Sequence, residues 1–359
     1  MRIKFHIAAG LVTIVLAVAL FFVMGGLTEV QNQATVASAE PEFMQVPAGQ
    51  VSSDTGAAAQ RGTRNSERSS LELQVLDLFV DDTSVWIATP VGLVHTDHAG
   101  KHVRMIDSAA GVDPTTIYAI TGLGNQLVFC ADNKLYEYLG PDTFHSVDLP
   151  FTPPIVTCTV SESTTFVGSY NDGVLAMTLG QVLPLKSDLS ATAIVRAPDG
   201  IWVGTNGDGL WFFNGEKWQK RFLHNDTTAF DDVTALAYRW PQLWVGTRQG
   251  LFRYDGGRWD VYTCNESAFP GGWVTDLALA GPYVYIGTAD RGLWIFDGMT
   301  FAQVGQFAGE SITRIKVDHR EVFVGTQNSG VHVLHSGKWR PLYPASDTVN
   351  MPARKWTLL

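Results

Sequence analysis

One short pattern recurs along most of this chain. An aromatic or aliphatic residue is followed by Val, Ile or Phe and then by two small residues, most often Gly-Thr, as in LWVGT at 243. We call the first of these residues the anchor, and the anchors lie 36 to 42 residues apart at Trp86, Val128, Phe166, Trp202, Trp244, Tyr285 and Phe323. A period near 40 residues predicts a repeat architecture in which each copy is one small folded unit.

Other positions keep step with the anchors. The residues eight and eleven before each anchor are small or apolar, and a turn glycine follows most anchors by six or seven residues. Each copy therefore predicts four short strands, which we call a, b, c and d; in residues 233–263 they read VTALAY, LWVGT, GLFRYD and RWDVYT. The 35 glycines and 11 tryptophans of the chain suit short strands joined by tight turns.

Seven such units cannot each bury both faces of a sheet alone. Packed radially, they form an all-β, seven-bladed β-propeller of four-stranded antiparallel blades around a central channel. A solenoid is the alternative assembly, but it needs polar caps at both ends, and neither end shows one. Each unit is complete from a to d, so no strand exchange is needed to close the ring, and residues 354–359 are left as a candidate edge strand.

The repeat resembles a known family. The form V-x-x-L, then aromatic-Val/Ile-Gly-Thr, then Gly-Leu-aromatic-x-aromatic is similar to the two-component regulator propeller repeat, over about residues 71–344 and best in units four to seven. In units two and three it is degraded, as in LVFCADNKLYEY. The resemblance implies an extracytoplasmic ligand-binding sensor propeller.

The same resemblance implies a need for partners. Kinase-linked members of that family continue into further signalling domains, whereas this sequence stops at Leu359, so we expect a non-catalytic sensor or scaffold that binds a small ligand or a protein, such as a separate signalling kinase or an envelope complex. Streptogramin-lyase-like propellers have broadly similar repeats. They make a lyase or hydrolase with its site at the channel mouth the alternative function.

The N-terminal residues differ in character from the repeat. Arg2 and Lys4 precede an uncharged, apolar run over residues 7–27, long enough to cross a bilayer as a helix. Positive charge on its N-terminal side predicts a single-pass inner-membrane anchor with the remainder in the periplasm or otherwise outside the cytoplasm. A cleaved signal peptide is the alternative, since residues 37–39 read Ala-Ser-Ala.

Four segments follow from these patterns: the anchor or signal peptide at 1–27, a disordered linker at 28–70, the propeller at 71–344 and a tail at 345–359. The linker is poor in aromatic residues and rich in small and polar ones, so it buries too little surface to fold. The formal net charge of -10 argues against nucleic acid as a partner.

Three connections between units are long or unusual, at 108–118, 224–234 and 264–275. In a propeller they meet at the mouth of the channel, where ligands usually bind. They carry the candidate binding residues Tyr118, His224, Asp232 and Trp273, together with Asp113, Phe230 and Asp231. Aromatic rings beside carboxylates suit a sugar, a peptide or a cation.

A second candidate group lies nine residues before the anchors, on the innermost strands. That column reads Asp77, Ala119, Thr157, Ala193, Ala235, Asp276 and Arg314. In a closed ring the three charged members are neighbours, which predicts a charge-paired cluster. One interpretation is that it closes the ring; the other is that it makes one sector of the channel a polar binding surface.

The remaining candidates have simpler explanations. His95, His98 and His102 fall on strand c and its turn with alternating directions, which predicts an exposed turn and no metal site. Cys130 and Cys158 occupy packing positions and Cys264 ends a d strand, so no disulfide is required. No catalytic motif and no cofactor-binding motif is recognised in the sequence.

Overall fold

The computed structural model describes residues 74–343, except 107–109, 111, 113–115, 124–125, 141–142, 152–153, 222–230, 264–268, 270 and 319–320. Within this part of the chain no helix is long and apolar enough to cross a membrane. The predicted anchor, the linker, the tail and the candidate edge strand at 354–359 lie outside the described residues.

The described residues form seven antiparallel sheets, each of four strands hydrogen-bonded in chain order, which confirms the seven-bladed prediction. Blade 1 contains β1 (Asp77–Val80), β2 (Ser84–Thr89), β3 (Gly92–Asp97) and β4 (Arg104–Ile106). Blade 2 contains β5 (Ile117–Leu123), β6 (Gln126–Ala131), β7 (Lys134–Gly140) and β8 (Thr143–Asp148). Blade 3 contains β9 (Ile155–Ser161), β10 (Thr164–Ser169), β11 (Gly173–Thr178) and β12 (Gln181–Lys186).

The more regular half of the ring follows. Blade 4 contains β13 (Ala191–Ala197), β14 (Gly200–Thr205), β15 (Leu210–Phe213) and β16 (Trp218–Arg221). Blade 5 contains β17 (Val233–Arg239), β18 (Gln242–Thr247), β19 (Leu251–Tyr254) and β20 (Trp259–Tyr262). Blade 6 contains β21 (Val274–Ala280), β22 (Tyr283–Thr288), β23 (Leu293–Phe296) and β24 (Phe301–Gln303), followed by a 3-10 turn at Gly305–Phe307. Blade 7 contains β25 (Ile312–Asp318), β26 (Glu321–Thr326), β27 (Val331–His335) and β28 (Lys338–Tyr343).

The first strand of every blade is innermost. Each contacts the first strand of the next blade, and β25 of blade 7 contacts β1 of blade 1, so the ring is closed. Each sheet in the described part of the chain is built from consecutive strands, so no strand is exchanged between the first and last blades.

The hydrophobic core is divided among the seams between blades. Seven clusters of buried side chains each join two neighbouring blades. The anchor of each blade belongs to the cluster shared with the following blade; Trp244, for example, packs with Leu277 and Phe296 of blade 6. Because the b strands lie between two such clusters, all their central residues are buried, which explains their continuous apolar sequence.

The Gly-Thr pair has a separate role for each residue. A Cβ on Gly246 would lie 2.5 Å from Val274 Cγ1 of blade 6, so only glycine lets the neighbouring blade approach this closely. The threonine hydroxyl donates across the turn into strand c, and Thr247 Oγ1 bonds the carbonyl oxygen of Gly250 at 3.0 Å. The pair thus sets the distance between blades and closes the b-to-c turn.

Candidate functional site at the channel mouth

A β-bulge shapes the start of the inner strands. In blades 2 to 7 the residue ten before the anchor is an extra residue in the pairing of strands a and b. In blade 5, Val233 pairs with Thr247 and Ala235 with Gly246, which leaves Thr234 unpaired in the ladder. A bulge redirects its side chain, and this column of residues is directed to the mouth of the channel.

Threonines of this column connect neighbouring blades. Thr192 Oγ1 donates to the carbonyl oxygen of Val233 at 2.5 Å, and Thr275 Oγ1 donates to that of Ile312 at 2.6 Å. Thr234 makes the equivalent bond to Val274. Thr313 in blade 7 has a buried hydroxyl with no hydrogen-bond partner. The series of hydroxyl bonds therefore stops where blade 7 meets blade 1.

A cavity of about 490 Å³ opens at this mouth. It is lined by two columns of the repeat, one ten residues before the anchors (Leu76, Val156, Thr192, Thr234, Thr275 and Thr313) and one four residues after them (Tyr170, Asn206, Arg248, Ala289 and Gln327). Trp273 and Arg314 also line it, and Arg248 and Arg314 are the charged side chains among the described lining residues. The wall is therefore mainly neutral, with two cationic groups.

Trp273 and Arg248 form an exposed part of this wall. The guanidinium carbon of Arg248 lies 4.8 Å from the centre of the Trp273 ring, and Arg248 Nε lies 3.5 Å from Asp232 Oδ2. Backbone bonds hold all three residues: Ala289 N donates to Trp273 O at 3.0 Å, and Arg248 N donates to Asp232 O at 3.2 Å. The indole is nevertheless 44% exposed, so one large aromatic surface remains open to a ligand.

The charged column forms a second group, on the innermost strands. Arg314 Nε donates to Asp77 Oδ1 at 3.0 Å across the junction of blades 7 and 1. Asp77 is 7% exposed, and its carboxylate also accepts the backbone N–H groups of Leu78 at 2.8 Å and Ile120 at 2.9 Å. Asp276 accepts the N–H of Ile315 at 2.6 Å. Each carboxylate thus bonds the backbone of the following blade.

Burial and charge act in opposite directions in this group. Burial raises the pKa of Asp276, while the positive charges of Arg314 and Lys316 oppose that rise. Burial lowers the pKa of Arg314, but the charges of Asp77 and Asp276 outweigh it and the net shift is upward. Arg314 is therefore held as a cation by two carboxylates, with one edge available to the cavity.

The sequence-predicted residues divide into three sets. Trp273, Arg314 and Asp232 lie at or beside the mouth cavity, and Asp77 and Asp276 lie behind it at the blade junctions. Tyr118 occupies the bulge position of blade 2 and is 36% exposed, but it is not among the residues lining the cavity. His224, Asp113 and Phe230 lie outside the described residues.

Sequence reasoning missed the two columns that line most of the cavity. The column four after the anchors reads Pro90, Asp132, Tyr170, Asn206, Arg248, Ala289 and Gln327. It directly follows the regular Gly-Thr pair and yet never repeats a residue. Where a residue varies within an otherwise regular repeat, the fold does not fix its identity. That variation was a signal present in the sequence.

The histidine segment of blade 1 was only partly understood from sequence. His102 is exposed and bonds Asp97 of its own turn, as expected of an exposed turn. His98 does not fit that prediction, because it is half-buried and its Nδ1 lies 2.9 Å from Glu321 Oε2 in blade 7. Its other ring nitrogen lies 2.7 Å from the carbonyl oxygen of Asp81. The prediction failed because sequence alone does not show that this turn packs against the last blade.

A larger cavity, of about 590 Å³, lies at the opposite face between blades 1 and 2. Phe79, Trp86, His95 and Tyr138 line it, together with Asp81. The Asp81 carboxylate accepts the backbone N–H groups of Thr83 and Ser84 and so belongs to the a-to-b turn. This cavity therefore follows from turn structure and aromatic packing, whereas the lining of the mouth cavity includes the column four residues after the anchors, which differs from blade to blade.

Solved structures of other proteins share this architecture. The extracellular domain of the BT4673 hybrid two component system from B. thetaiotaomicron is similar with a TM-score of 0.61 and 21% identity, over 73% of this chain and 38% of that one. For the extracellular domain of BT3049 from the same organism the TM-score is 0.58 and the identity 16%, over 73% and 40% of the two chains. YCF48 bound to D1 peptide gives a TM-score of 0.57 and 15% identity, over 73% and 92%.

These similarities establish the propeller fold that the sequence resemblance implied. The structural neighbours include extracellular propeller domains of hybrid two-component systems, and this chain spans about two fifths of the length of those domains. No protein-family model matches the sequence, and no relative was found among curated proteins.

Proposed function

We propose that this chain is a non-catalytic extracytoplasmic propeller, tethered to the membrane by residues 1–27 through the linker at 28–70, that senses or recruits a binding partner at the channel mouth. The observation that carries this proposal is the mouth cavity with its exposed indole and two arginines. The extracellular domains among the structural neighbours support the location.

The lining chemistry narrows the class of ligand. Arg248 and Arg314 are the cationic groups of the described wall, and Trp273 supplies a flat apolar surface next to Arg248. A guanidinium pairs best with a carboxylate or phosphate, and an indole packs best against a flat apolar group. The ligand is therefore an anionic group attached to an apolar or ring-shaped body, such as a peptide end or an acidic sugar.

A second observation supports recognition of a protein or peptide. YCF48, which shares the fold over most of its length, was solved bound to a peptide. The mouth cavity is lined mainly by neutral positions, which suits an extended segment that makes several small contacts.

The test is a binding experiment on the full chain in detergent. Hexapeptide libraries with free and with amidated C-termini, and uronic acid oligosaccharides, are screened by titration calorimetry. We expect an anionic probe to bind, and we expect both Arg248→Gln and Trp273→Ala to weaken it at least about tenfold, since a charge-assisted bond or a buried aromatic contact contributes more than about 1.4 kcal/mol.

Trp240→Ala is the matched control. Trp240 is also exposed and belongs to blade 5, but it lies in the turn between β17 and β18 at the opposite face. Binding that Trp240→Ala weakens as much as Trp273→Ala would contradict the proposed site. Conversion of a bound probe to product would favour the lyase or hydrolase alternative.

A further inference from the structure

Two cysteines meet at the seam between blades 2 and 3. Cys130 lies on β6 and Cys158 on β9, the first strand of the next blade. Both are free thiols, and Cys158 packs against the buried cluster that contains Cys130. The neighbouring Cys130 thiol raises the pKa of the Cys158 thiol. Two cysteines that pack into one seam can be joined by a disulfide when their Cα atoms are close enough.

The repeat explains why these positions meet. Cys130 stands two residues after its anchor, where the other blades have Gly or Ala, and Cys158 stands eight before its anchor, where the others have Leu or Ile. The same two positions meet at two other seams. A Cβ added to Gly168 would lie 3.2 Å from Ile194 Cδ1, and one added to Gly325 would lie 3.3 Å from Leu78 Cδ1. Each cysteine departs from its column, and the two departures fall at positions that touch.

We propose that Cys130 and Cys158 form a disulfide that joins blades 2 and 3 in the exported protein. The bond would join positions that are 28 apart in sequence and would connect the two blades in which the repeat is most degraded. Disulfides form and persist outside the cytoplasm, so formation in cells depends on the proposed export, whereas the geometry does not.

The reaction balances with a disulfide donor, such as an envelope thiol–disulfide oxidoreductase. One cysteine thiolate attacks the donor disulfide and displaces one donor thiolate, which gives a mixed disulfide. The second cysteine thiolate attacks the mixed disulfide, forms the Cys130–Cys158 bond and displaces the second donor thiolate. The two cysteines lose two protons and two electrons, and the donor is reduced to two thiols.

The timing of oxidation follows from burial. The neighbouring Cys130 thiol, with burial, raises the pKa of the Cys158 thiol. Since the thiolate is the reactive form, the folded protein has little of it, and Cys130 is buried in the seam. The bond therefore forms during folding, before the seam closes, and the folded, reduced protein is oxidised slowly.

The test uses full-length Cys264→Ser protein, so that Cys130 and Cys158 are the remaining thiols of the three cysteines. The protein is refolded with reduced and oxidised glutathione, then denatured and alkylated. We expect no alkylated cysteine by intact mass, two after prior reduction, and a melting temperature about 5 to 10 °C higher for the oxidised form. Cys130→Ser combined with Cys264→Ser should show no such redox-dependent shift.

Two outcomes would overturn the proposal: two alkylated cysteines after oxidative refolding, or a cross-linked form that melts below the reduced form. Rapid alkylation of intact cells distinguishes this inference from the proposed function. A bond that forms with glutathione but is missing in cells contradicts export, while a bond absent in both contradicts the seam geometry.

Discussion

The seam between blades 5 and 6 and the seam between blades 7 and 1 solve the same packing problem with different chemistry. At the first, Thr234 donates to the carbonyl of Val274, and Val274 packs over Gly246. At the second, Val75 packs over Gly325 in the same way, but side-chain pairs across the seam are added: Arg314 with Asp77, and His98 with Glu321. Arg340 also donates to the carbonyl oxygen of His98 at 2.7 Å.

The difference reflects how the two seams are connected. Blades 5 and 6 are consecutive in sequence, so a short loop already holds them together. Blades 7 and 1 lie at opposite ends of the propeller sequence, so bringing them together costs loop-closure entropy. No short loop joins these two blades to reduce that cost. Ion pairs between the side chains of blades 7 and 1 favour the closed ring over an open stack of blades.

The largest effect should come from breaking the charged bond at the closing seam. Arg314→Ala removes the 3.0 Å ion pair of the buried Asp77 carboxylate and leaves Lys316 Nζ, at 4.0 Å, as its cation, and we expect a loss of about 3 kcal/mol in the free energy of unfolding. Urea denaturation followed by tryptophan fluorescence measures it. Lys217→Ala, in an exposed c-to-d turn, should change the same quantity by less than about 0.5 kcal/mol. Equal losses in the two variants would show that the closing seam does not depend on the Arg314–Asp77 pair.

The seam between blades 5 and 6 should be sensitive to side-chain volume. In Gly246→Ala the new Cβ meets Val274 Cγ1, and we expect a cost of about 2 kcal/mol from overpacking. Adding Val274→Ala should recover part of that cost, because the two positions are in contact. Gly257→Ala has nothing within 4 Å of its new Cβ and serves as control. A Gly246→Ala protein as stable as the wild type would show that this seam accommodates the added methyl group without a cost in stability.

A smaller effect is expected from the histidines of blade 1. His98→Ala removes bonds to Glu321 and to Asp81, and should cost about 1 to 1.5 kcal/mol. His102→Ala removes an exposed pair within its own turn and should cost less than about 0.5 kcal/mol. Thermal unfolding of the two variants at one pH compares them directly. A larger loss of stability from His102→Ala than from His98→Ala would mean that His98 does not stabilise the seam between blades 7 and 1.

The smallest effect is a pH dependence on the other side of blade 7. His332 packs edge-on against Phe307 of the connection from blade 6, at 5.3 Å between ring centres. Burial lowers the pKa of His332 below its usual 6.5, against the opposing charge of Glu310. His332 therefore binds a proton more readily in the unfolded chain than in the folded protein. As a result, the free energy of unfolding falls as the pH drops below about 6.5.

Melting temperatures at about pH 7.5 and about pH 5 test this effect. We expect the fall to be smaller in His332→Gln, which does not titrate, than in the wild type. An identical fall in the two proteins would assign the acid sensitivity to other groups.

The part of the candidate site that follows from closure of the ring was predictable from the sequence. Asp77 and Arg314 lie far apart in sequence, but a closed ring of seven blades makes them neighbours, and the structure shows a 3.0 Å bond between them. The mouth columns at Thr234 and Arg248 were missed because a bulge redirects the first and a turn presents the second. Neither feature leaves a hydrophobic period in the sequence.

The amino-acid sequence by itself determined the blades: their number, their strand order and the small residues between them. These depend on local periodicity and on turn chemistry, which each repeat carries within about 40 residues. Only the tertiary structure showed other meetings across seams, such as the packing of Cys158 against the cluster that contains Cys130, and the bond of His98 with Glu321. Contacts between blades depend on how sheets are placed against one another, and that placement is set by packing of the whole ring.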